Sequence, residues 1–319
     1  FQNASPATLA VSPSGDQVVY VGWQKDVGGS LYLRHLDSFD AVRLTNTADP
    51  VAPFFAPDGQ RLAYVAGGRI WRIDLPGGVP VALGPATAAW VGGSWTDEDT
   101  IVYAPSFADP LWTVPAGGGQ ARQLTTVDRA AGEVSHRWPC ALPGNAGVLF
   151  AIKSATDESL DDARIAVSDP KTGEHRVLIE GGSMPRYLDS GQLVFARSGH
   201  LYAVGFDLSS RTIRGAPVSV LDGVATQPMN GAAWYDVTRQ GCLVYLTGGR
   251  VENRAHFSWE GPARPAELLK ALEGRFGGGV WLSRDFKRAV ASVPGANDKL
   301  WLVDLEQMNT TPLTSGGGN

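Results

Sequence analysis

The sequence has few cysteines, few charged residues and no long apolar segment. Two of its 319 residues are cysteine, Cys140 and Cys242, which is too few for a disulfide framework or a cysteine-based zinc site. Charged residues make up 18% of the chain, the net charge is -5, and no cluster of Lys and Arg is present. Nucleic acids and anionic membranes bind clustered cations, so we expect neither as the main partner.

Segments that could cross a membrane or direct secretion are also missing from the sequence. No run approaches the roughly 18 apolar residues of a spanning helix, so we expect no membrane insertion by this chain. The N-terminal "FQNASPATLA" has no basic region followed by an apolar core. A signal or membrane segment in a longer precursor is left open.

Helical periodicity is almost absent, whereas turn-forming residues are abundant. The exception is "PAELLKALEG", residues 265–274, which predicts one or two helical turns at most. The chain contains 39 glycines and 21 prolines, which indicates many tight turns and directs attention to internal repeats.

One unit, an apolar segment followed by a turn and further strands, is repeated seven times. The turn positions are Ser14, Asp58, Asp97, Gly144, Asp189, Arg239 and Asp285. They are 44, 39, 47, 45, 50 and 46 residues apart, and a mean of about 45 is typical of four-stranded propeller blades. Alternating Val, Ile, Leu, Tyr and Trp around Asp-Gly and Gly-Gly pairs predicts half-buried strands joined by hairpins.

We therefore predict an all-β fold, a β-propeller of four-stranded antiparallel blades. Seven blades are predicted, with six blades or an incomplete larger array as alternatives. The repeats span approximately 7–48, 49–88, 89–132, 133–182, 183–227, 228–276 and 277–315, and together they predict a single domain over residues 1–319. Cys140 and Cys242 fall in repeats separated by a blade, so we expect both to be reduced.

The turns "SPSG" and "APDG", followed by "VVYV" and "LAYV", resemble the repeats of TolB-like propellers. "GEVSHRWP", "GQLVFARSGHLYAV" and "GAAWYDV" are similar to the extracytoplasmic propeller found C-terminal to bacterial eukaryotic-like serine/threonine kinases. This resemblance implies an extracytoplasmic sensor or partner-binding domain in the periplasm or at the cell surface. The kinase motifs themselves are absent from the sequence.

Motifs for other chemistry are weak. No G-x-S-x-G elbow is present, and prolyl-oligopeptidase-like enzymes keep their catalytic triad outside the propeller. The acidic segment around Asp157, Glu158, Asp161 and Asp162 offers oxygen ligands for calcium but lacks EF-hand spacing, which favours a solvated loop over a metal site. The histidines His35, His136, His175, His200 and His256 never show metal-ligand spacing, and except for His136 we assign them structural or surface roles.

The segment "GEVSHRWPC", residues 132–140, is the densest group of functional side chains. It leads into the innermost strand of repeat four, where alternation would place Ser135 and Arg137 on one side and His136 and Trp138 on the other. We expect Trp138 to wedge adjacent blades and Glu133 to pair with Arg137. Ligand contact is the competing interpretation, and Arg137 is its strongest candidate.

The leading hypothesis is a non-catalytic propeller that binds an unknown small molecule or protein through the loops leading into the innermost strands. The alternative is a hydrolase with calcium or another divalent ion in the central channel. The sequence indicates no other cofactor. The residues predicted to lie at or near the channel are Asp49, Trp90, Glu133, His136, Arg137, Arg186, Asn230 and Trp281.

Overall fold

The computed structural model describes residues 9–24, 28–87, 90–249, 258–261, 264–268, 280–285, 287–293, 299–304, 307 and 309–314. The chain divides into two compact units, Phe1–Arg250 and Val251–Asn319, which are described separately. The single domain over residues 1–319 stays a prediction.

Five four-stranded antiparallel sheets follow one another in the first unit, each assembled in sequence order. Sheet one contains β1 (Leu9–Val11), β2 (Gln17–Gln24), β3 (Gly28–His35) and β4 (Ala41–Arg43). Sheet two contains β5 (Val51–Phe55), β6 (Arg61–Ala66), β7 (Arg69–Asp74) and β8 (Val81–Pro85). Sheet three contains β9 (Gly93–Trp95), β10 (Thr100–Tyr103), β11 (Trp112–Pro115) and β12 (Arg122–Gln123).

The next two sheets are longer and contain the segment "GEVSHRWPC". Sheet four contains β13 (Glu133–Ala141), β14 (Val148–Ser154), β15 (Arg164–Ser168) and β16 (His175–Glu180). Sheet five contains β17 (Ser183–Leu188), β18 (Gln192–Arg197), β19 (His200–Asp207) and β20 (Thr212–Asp222). A 3-10 turn at Pro143–Asn145 joins β13 to β14.

The sixth group of strands in the first unit, called sheet six below, consists of two hairpins. They contain β21 (Thr226–Gln227), β22 (Ala232–Ala233), β23 (Tyr235–Val237) and β24 (Leu243–Tyr245). The all-β prediction is confirmed by these sheets. Within the described ranges no helix is long and apolar enough to cross a membrane.

The second unit contains a hairpin of β25 (Ser258–Gly261) and β26 (Arg264–Leu268). It also contains a four-stranded sheet of β27 (Val280–Leu282), β28 (Arg288–Val293), β29 (Lys299–Asp304) and β30 (Asn309–Pro312). The helix expected at 265–274 is therefore wrong as far as Leu268, because the backbone of this segment pairs with β25. Residues 269–274 lie outside the described part of the chain.

The second strands of sheets two to five are buried on both faces, because neighbouring sheets of the first unit pack face to face. In β6, Leu62, Ala63, Tyr64 and Val65 are all buried. Apolar clusters combine side chains from consecutive sheets, such as Val102 and Phe150. This packing explains why the second strands read as apolar runs rather than strict alternation.

The first unit closes into a ring through its innermost strands. Contacts join β1 to β5, β5 to β9, β9 to β13, β13 to β17 and β17 to β22, and β23 then contacts β1 directly. At this closure the Val11 N–H donates to Asp236 Oδ2 at 3.0 Å, and the Cys242 thiol lies 3.6 Å from the Gly15 carbonyl oxygen. Five sheets and a sixth group of two hairpins thus follow one another around this ring, and the blade number of the chain stays a prediction.

Candidate functional site

The innermost strands of the first unit line a channel that widens at one end. The wide end is a cavity of about 340 Å³ at the turns between the first and second strands. Its polar lining comes from Ser94, Asp97, Cys140, Arg186, Tyr187, Asp236, Thr238, Arg239 and Gln240. Its apolar wall includes Phe54, Phe55 and Pro57.

One equivalent position in each of the first six repeats contributes to this lining. Counting back three residues from each turn position gives Val11, Phe55, Ser94, Ala141, Arg186 and Asp236, and all six line the cavity. The position three residues before each turn was therefore a sequence signal for the channel lining, and the loop residues alone did not reveal it. Two of the six are charged, and they occupy neighbouring sheets.

Arg186 and Asp236 form an ion pair inside the channel. Arg186 Nε donates to Asp236 Oδ1 at 3.2 Å, and Arg186 Nη1 donates to the Pro185 carbonyl oxygen. Burial by itself would lower the pKa of Arg186, but the Asp236 carboxylate raises it. The Arg186 guanidinium is therefore charged at neutral pH. Burial also raises the pKa of the adjacent Cys140 thiol, which stays protonated.

Arg239 lies at the mouth of the cavity and links three sheets. From sheet six its Nε donates to Asp189 Oδ1 at 2.9 Å, and its Nη1 lies 3.6 Å from Asp97 Oδ1. The side chain is 45% exposed, so its ion pairs are in contact with solvent and are weak individually. Arg239 can therefore exchange these partners for a ligand.

The opposite end of the channel is narrow. Its cavity is about 40 Å³ and is bounded by Leu9, Ala52, Trp138, Met184 and Tyr235. Ala52, Trp138 and Met184 have positive φ angles of 49°, 54° and 50°, and each precedes a proline at a shift in strand register. These bulges turn the side chains inward and fill the channel.

The predicted site residues are spread over both units. Arg186 lines the wide cavity. Asp49 is exposed and accepts the Gly29 N–H, Trp90 is buried and stacks on Tyr103, and the buried Asn230 accepts hydrogen bonds from Trp138 and the Ala232 N–H. In the second unit Trp281 is 59% exposed.

Glu133 and His136 form a buried cluster with His175 rather than a pair with Arg137. His136 Nε2 lies 3.1 Å from Glu133 Oε2, and His175 Nε2 lies 3.0 Å from Glu133 Oε1. Burial by itself would raise the pKa of Glu133, but these hydrogen bonds and that of the Asp128 N–H lower it to about 2. The expected Glu133–Arg137 pair is wrong.

Arg137 bonds to neutral groups instead. Its Nε donates to Ser135 Oγ at 2.8 Å, its Nη2 donates to the Phe107 carbonyl oxygen at 3.0 Å, and its guanidinium stacks on the Phe107 ring. Burial lowers the pKa of Arg137 to about 10. The expected alternation of side chains is wrong beyond Arg137, because the register shifts between Arg137 and Cys140.

The aspartates of the acidic segment 157–162 accept hydrogen bonds from backbone N–H groups and so hold the loop in place. Asp157 accepts the Ser154 N–H, Asp161 accepts the Ser198 N–H, and Asp162 accepts the Ser159 N–H. Among the residues that the structure describes, only Glu133, His136 and His175 bring three potential metal ligands together. His35 is exposed, the exposed His200 bonds to Asp222, and His256 lies outside the described residues. The sequence missed His175 because 42 residues separate it from Glu133.

No family model matches the chain, and no curated protein matches it. Solved propeller structures do. A putative TolB from Agrobacterium tumefaciens aligns with a TM-score of 0.54 and 16% identity, over 76% of this chain and 89% of its own. TolB from Acinetobacter baumannii aligns with a TM-score of 0.52 and 15% identity, over 69% of this chain and 56% of its own.

A puromycin-hydrolyzing peptidase from Mycobacterium tuberculosis aligns with a TM-score of 0.52 and 17% identity, over 99% of this chain and 53% of its own. This chain thus spans little more than half the length of that peptidase and of the Acinetobacter TolB. These similarities show a propeller fold of the TolB-like type.

Proposed function

We propose that the chain is a non-catalytic binding propeller whose ligand site is the wide end of the channel. The observation that carries this proposal is the convergence of six equivalent positions on one cavity of about 340 Å³. Ligand sites are commonly concave, mainly apolar and supplied with a few placed polar groups. The apolar wall from Phe54 and Phe55 and the Arg186–Asp236 pair meet that description.

The ligand is a small molecule or a protein loop that carries a polar or charged group. Arg239 and Asp97 at the mouth can bind groups of either charge by exchanging their ion-pair partners. The apolar surface below them accommodates the remainder of the ligand. By this proposal Arg186, which lies on the innermost strand β17, is the only one of the predicted residues that contributes to the site.

The biological setting is proposed from the repeats. Their resemblance to kinase-linked propellers supports a sensor or interaction domain of a bacterial signalling protein, located outside the cytoplasm. The structural similarity to TolB proteins is compatible with that setting.

A hydrolase with a divalent ion in the channel receives less support. Such an ion needs several carboxylate or imidazole ligands. The acids that line the wide cavity are Asp97 and Asp236. Asp236 is already bound by Arg186 and the Val11 N–H, and Asp97 accepts the Gly144 N–H.

A thermal-shift screen of small metabolites, peptidoglycan fragments and divalent ions tests the proposal. We expect metabolites and peptidoglycan fragments that stabilise the wild type to lose their effect in Gln240→Trp, which fills the mouth from an exposed position. They should keep it in Val79→Trp, which adds a tryptophan at another exposed position. Equal stabilisation of both variants would show that these compounds bind elsewhere.

A further inference from the structure

Three side chains of sheet four form a ligand set of the type that binds transition metals. Glu133, His136 and His175 each offer one atom, and these atoms lie within 4.8 Å of one another. Two imidazoles and one carboxylate are the protein ligands of many zinc sites and of other open transition-metal sites. None of the three lines either channel cavity, so the cluster is separate from the proposed ligand site.

The spacing of the atoms suits an ion between them. Zinc binds nitrogen and oxygen at about 2.0 to 2.2 Å, which places tetrahedral ligands about 3.3 Å apart. The two imidazole nitrogens lie 3.0 and 3.1 Å from the nearest carboxylate oxygens. The three atoms lie within 4.8 Å of one another, so side-chain rotations that shorten the longest separation by up to about 1.5 Å would bring all of them to bonding distance.

The outer contacts of His136 also fit a metal ligand. Its Nδ1 lies 2.7 Å from Thr125 Oγ1, and the Leu111 N–H donates to the same hydroxyl, which holds it in place. A neutral imidazole with its proton on Nδ1 donates to Thr125 and directs the Nε2 lone pair at the cluster. Hydroxyl and carbonyl partners of this kind commonly orient metal-bound histidines.

The cluster is accessible through a cleft. Two loops, at Thr126–Arg129 and Thr172–His175, line a cavity of about 620 Å³, and His175 forms part of its wall. The other two ligands are buried behind it. The cleft provides a route for the ion and space for a water molecule as the fourth ligand.

We propose that Glu133, His136 and His175 bind one divalent transition-metal ion of the zinc type. The two imidazole nitrogens do not suit calcium, the ion considered from the sequence, because calcium prefers oxygen ligands only. The competing cation is Arg164, whose Nη2 lies 3.7 Å from Glu133 Oε1. Its hydrogen bond to Ser154 Oγ at 2.9 Å holds it further away than the imidazoles.

The alternative role for the cluster is a hydrogen-bond network in which Glu133 accepts one N–H from each imidazole. Metal titration of the full chain separates the two roles. After chelator treatment and dialysis, Zn²⁺ should bind at one ion per chain, and Co²⁺ should give the visible absorption of a four-coordinate site.

His175→Phe is the main variant, because it keeps a ring against Phe150 and removes the ligand nitrogen. We expect its affinity for Zn²⁺ to be at least tenfold weaker and its Co²⁺ absorption to be lost. His200→Phe, which removes an exposed histidine bonded to Asp222, should bind like the wild type.

Absence of binding to the wild type, or equal affinity in His175→Phe, would overturn the proposal. If His175→Phe is unfolded by circular dichroism, Thr125→Val decides. It should weaken Zn²⁺ binding about 10- to 100-fold, the usual effect of losing an outer partner, and unchanged affinity there would overturn the proposal equally. Loss of Zn²⁺ binding leaves the thermal-shift test of the channel unaffected.

Discussion

Trp138 joins sheet four to sheet three and to the hairpins of sheet six. Its backbone N–H donates to the Val91 carbonyl oxygen at 2.7 Å, and its indole Nε1 donates to the Asn230 carbonyl oxygen at 2.8 Å. The side chain is 2% exposed. Trp138 is therefore a buried wedge, but it reaches sheet three and sheet six, whereas the sequence placed it between adjacent blades.

Removal of this side chain should strongly destabilise the protein. Trp138→Ala leaves a large cavity and is expected to lower the free energy of unfolding by about 3 to 5 kcal/mol. Trp23→Ala, at a position 67% exposed, should change it by about 0.5 kcal/mol or less. Urea unfolding followed by circular dichroism measures both, and similar losses in the two variants would contradict the wedge.

Tyr64 should make the protein sensitive to alkaline pH. Its buried phenol has a pKa raised by desolvation from 10.0 to about 12. The contribution of Tyr64 to the free energy of unfolding is therefore complete below pH 10. It is lost as the pH rises to about 12, because this phenol ionises first in the unfolded chain. Two pKa units correspond to about 3 kcal/mol.

Tyr64→Phe isolates this contribution. Urea unfolding between pH 9 and 12 should show a shallower loss of stability in the variant than in the wild type. An equally steep loss in both proteins would mean that the Tyr64 phenol ionises as readily in the folded state as in the unfolded chain, which would contradict the raised pKa.

At the scale of the strand, the repeated proline bulge is the feature that shapes the channel. The steps Ala52–Pro53, Trp138–Pro139 and Met184–Pro185 share a positive φ before the proline and a register shift. A proline cannot donate to the ladder, so the strand departs from simple pairing at each step. The prolines are visible in the sequence, but period-two alternation assumes a regular strand and therefore fails at Trp138.

Gly92 allows the bulge of β13 to approach sheet three. Its φ is 107°, and an added Cβ would lie 2.8 Å from Trp138 Cα. Gly92→Ala should therefore lower the melting temperature and cost about 2 kcal/mol or more. Gly118→Ala, which has φ 90° and nothing within 4 Å, is the matched control and should cost only the strain of the positive φ. Equal melting temperatures for the two variants would show that sheets three and four do not approach this closely.

The sequence predicted the strands and turns well but predicted the site only in part. Asp58 and Gly59 form the expected tight turn, with Gly59 at φ 68°. Local residue patterns determine such turns. The cluster of Glu133 with His175 forms because the His175 side chain, at the start of β16, the fourth strand of sheet four, reaches Glu133 at the start of β13. No local spacing in the sequence indicates that these two residues meet.

At the scale of the whole molecule, ring closure sets the number of sheets around the channel. The sequence contains seven copies of the repeat, and each copy alone is compatible with a blade. Ring closure depends on which sheets can meet, a long-range property that equal repeats do not encode. In the structure the hairpin of β23 and β24 contacts sheet one within residues 9–249.

A disulfide across this closure tests the central claim that the strands within residues 9–249 form a closed ring of six sheets around the wide cavity. A Cβ added at Gly15 would lie 3.0 Å from Cys242 Cβ, and disulfides require about 3.5 to 4.5 Å, so a small adjustment permits the bond. We predict that Gly15→Cys, once oxidised, forms an intramolecular disulfide with the native Cys242. Mass spectrometry of the digested protein should detect the linked peptides, and Gly15→Cys combined with Cys242→Ser should not give them. If a further sheet separates sheets six and one, as in a ring of seven blades, folded Gly15→Cys will retain both thiols, and the six-sheet ring will be contradicted.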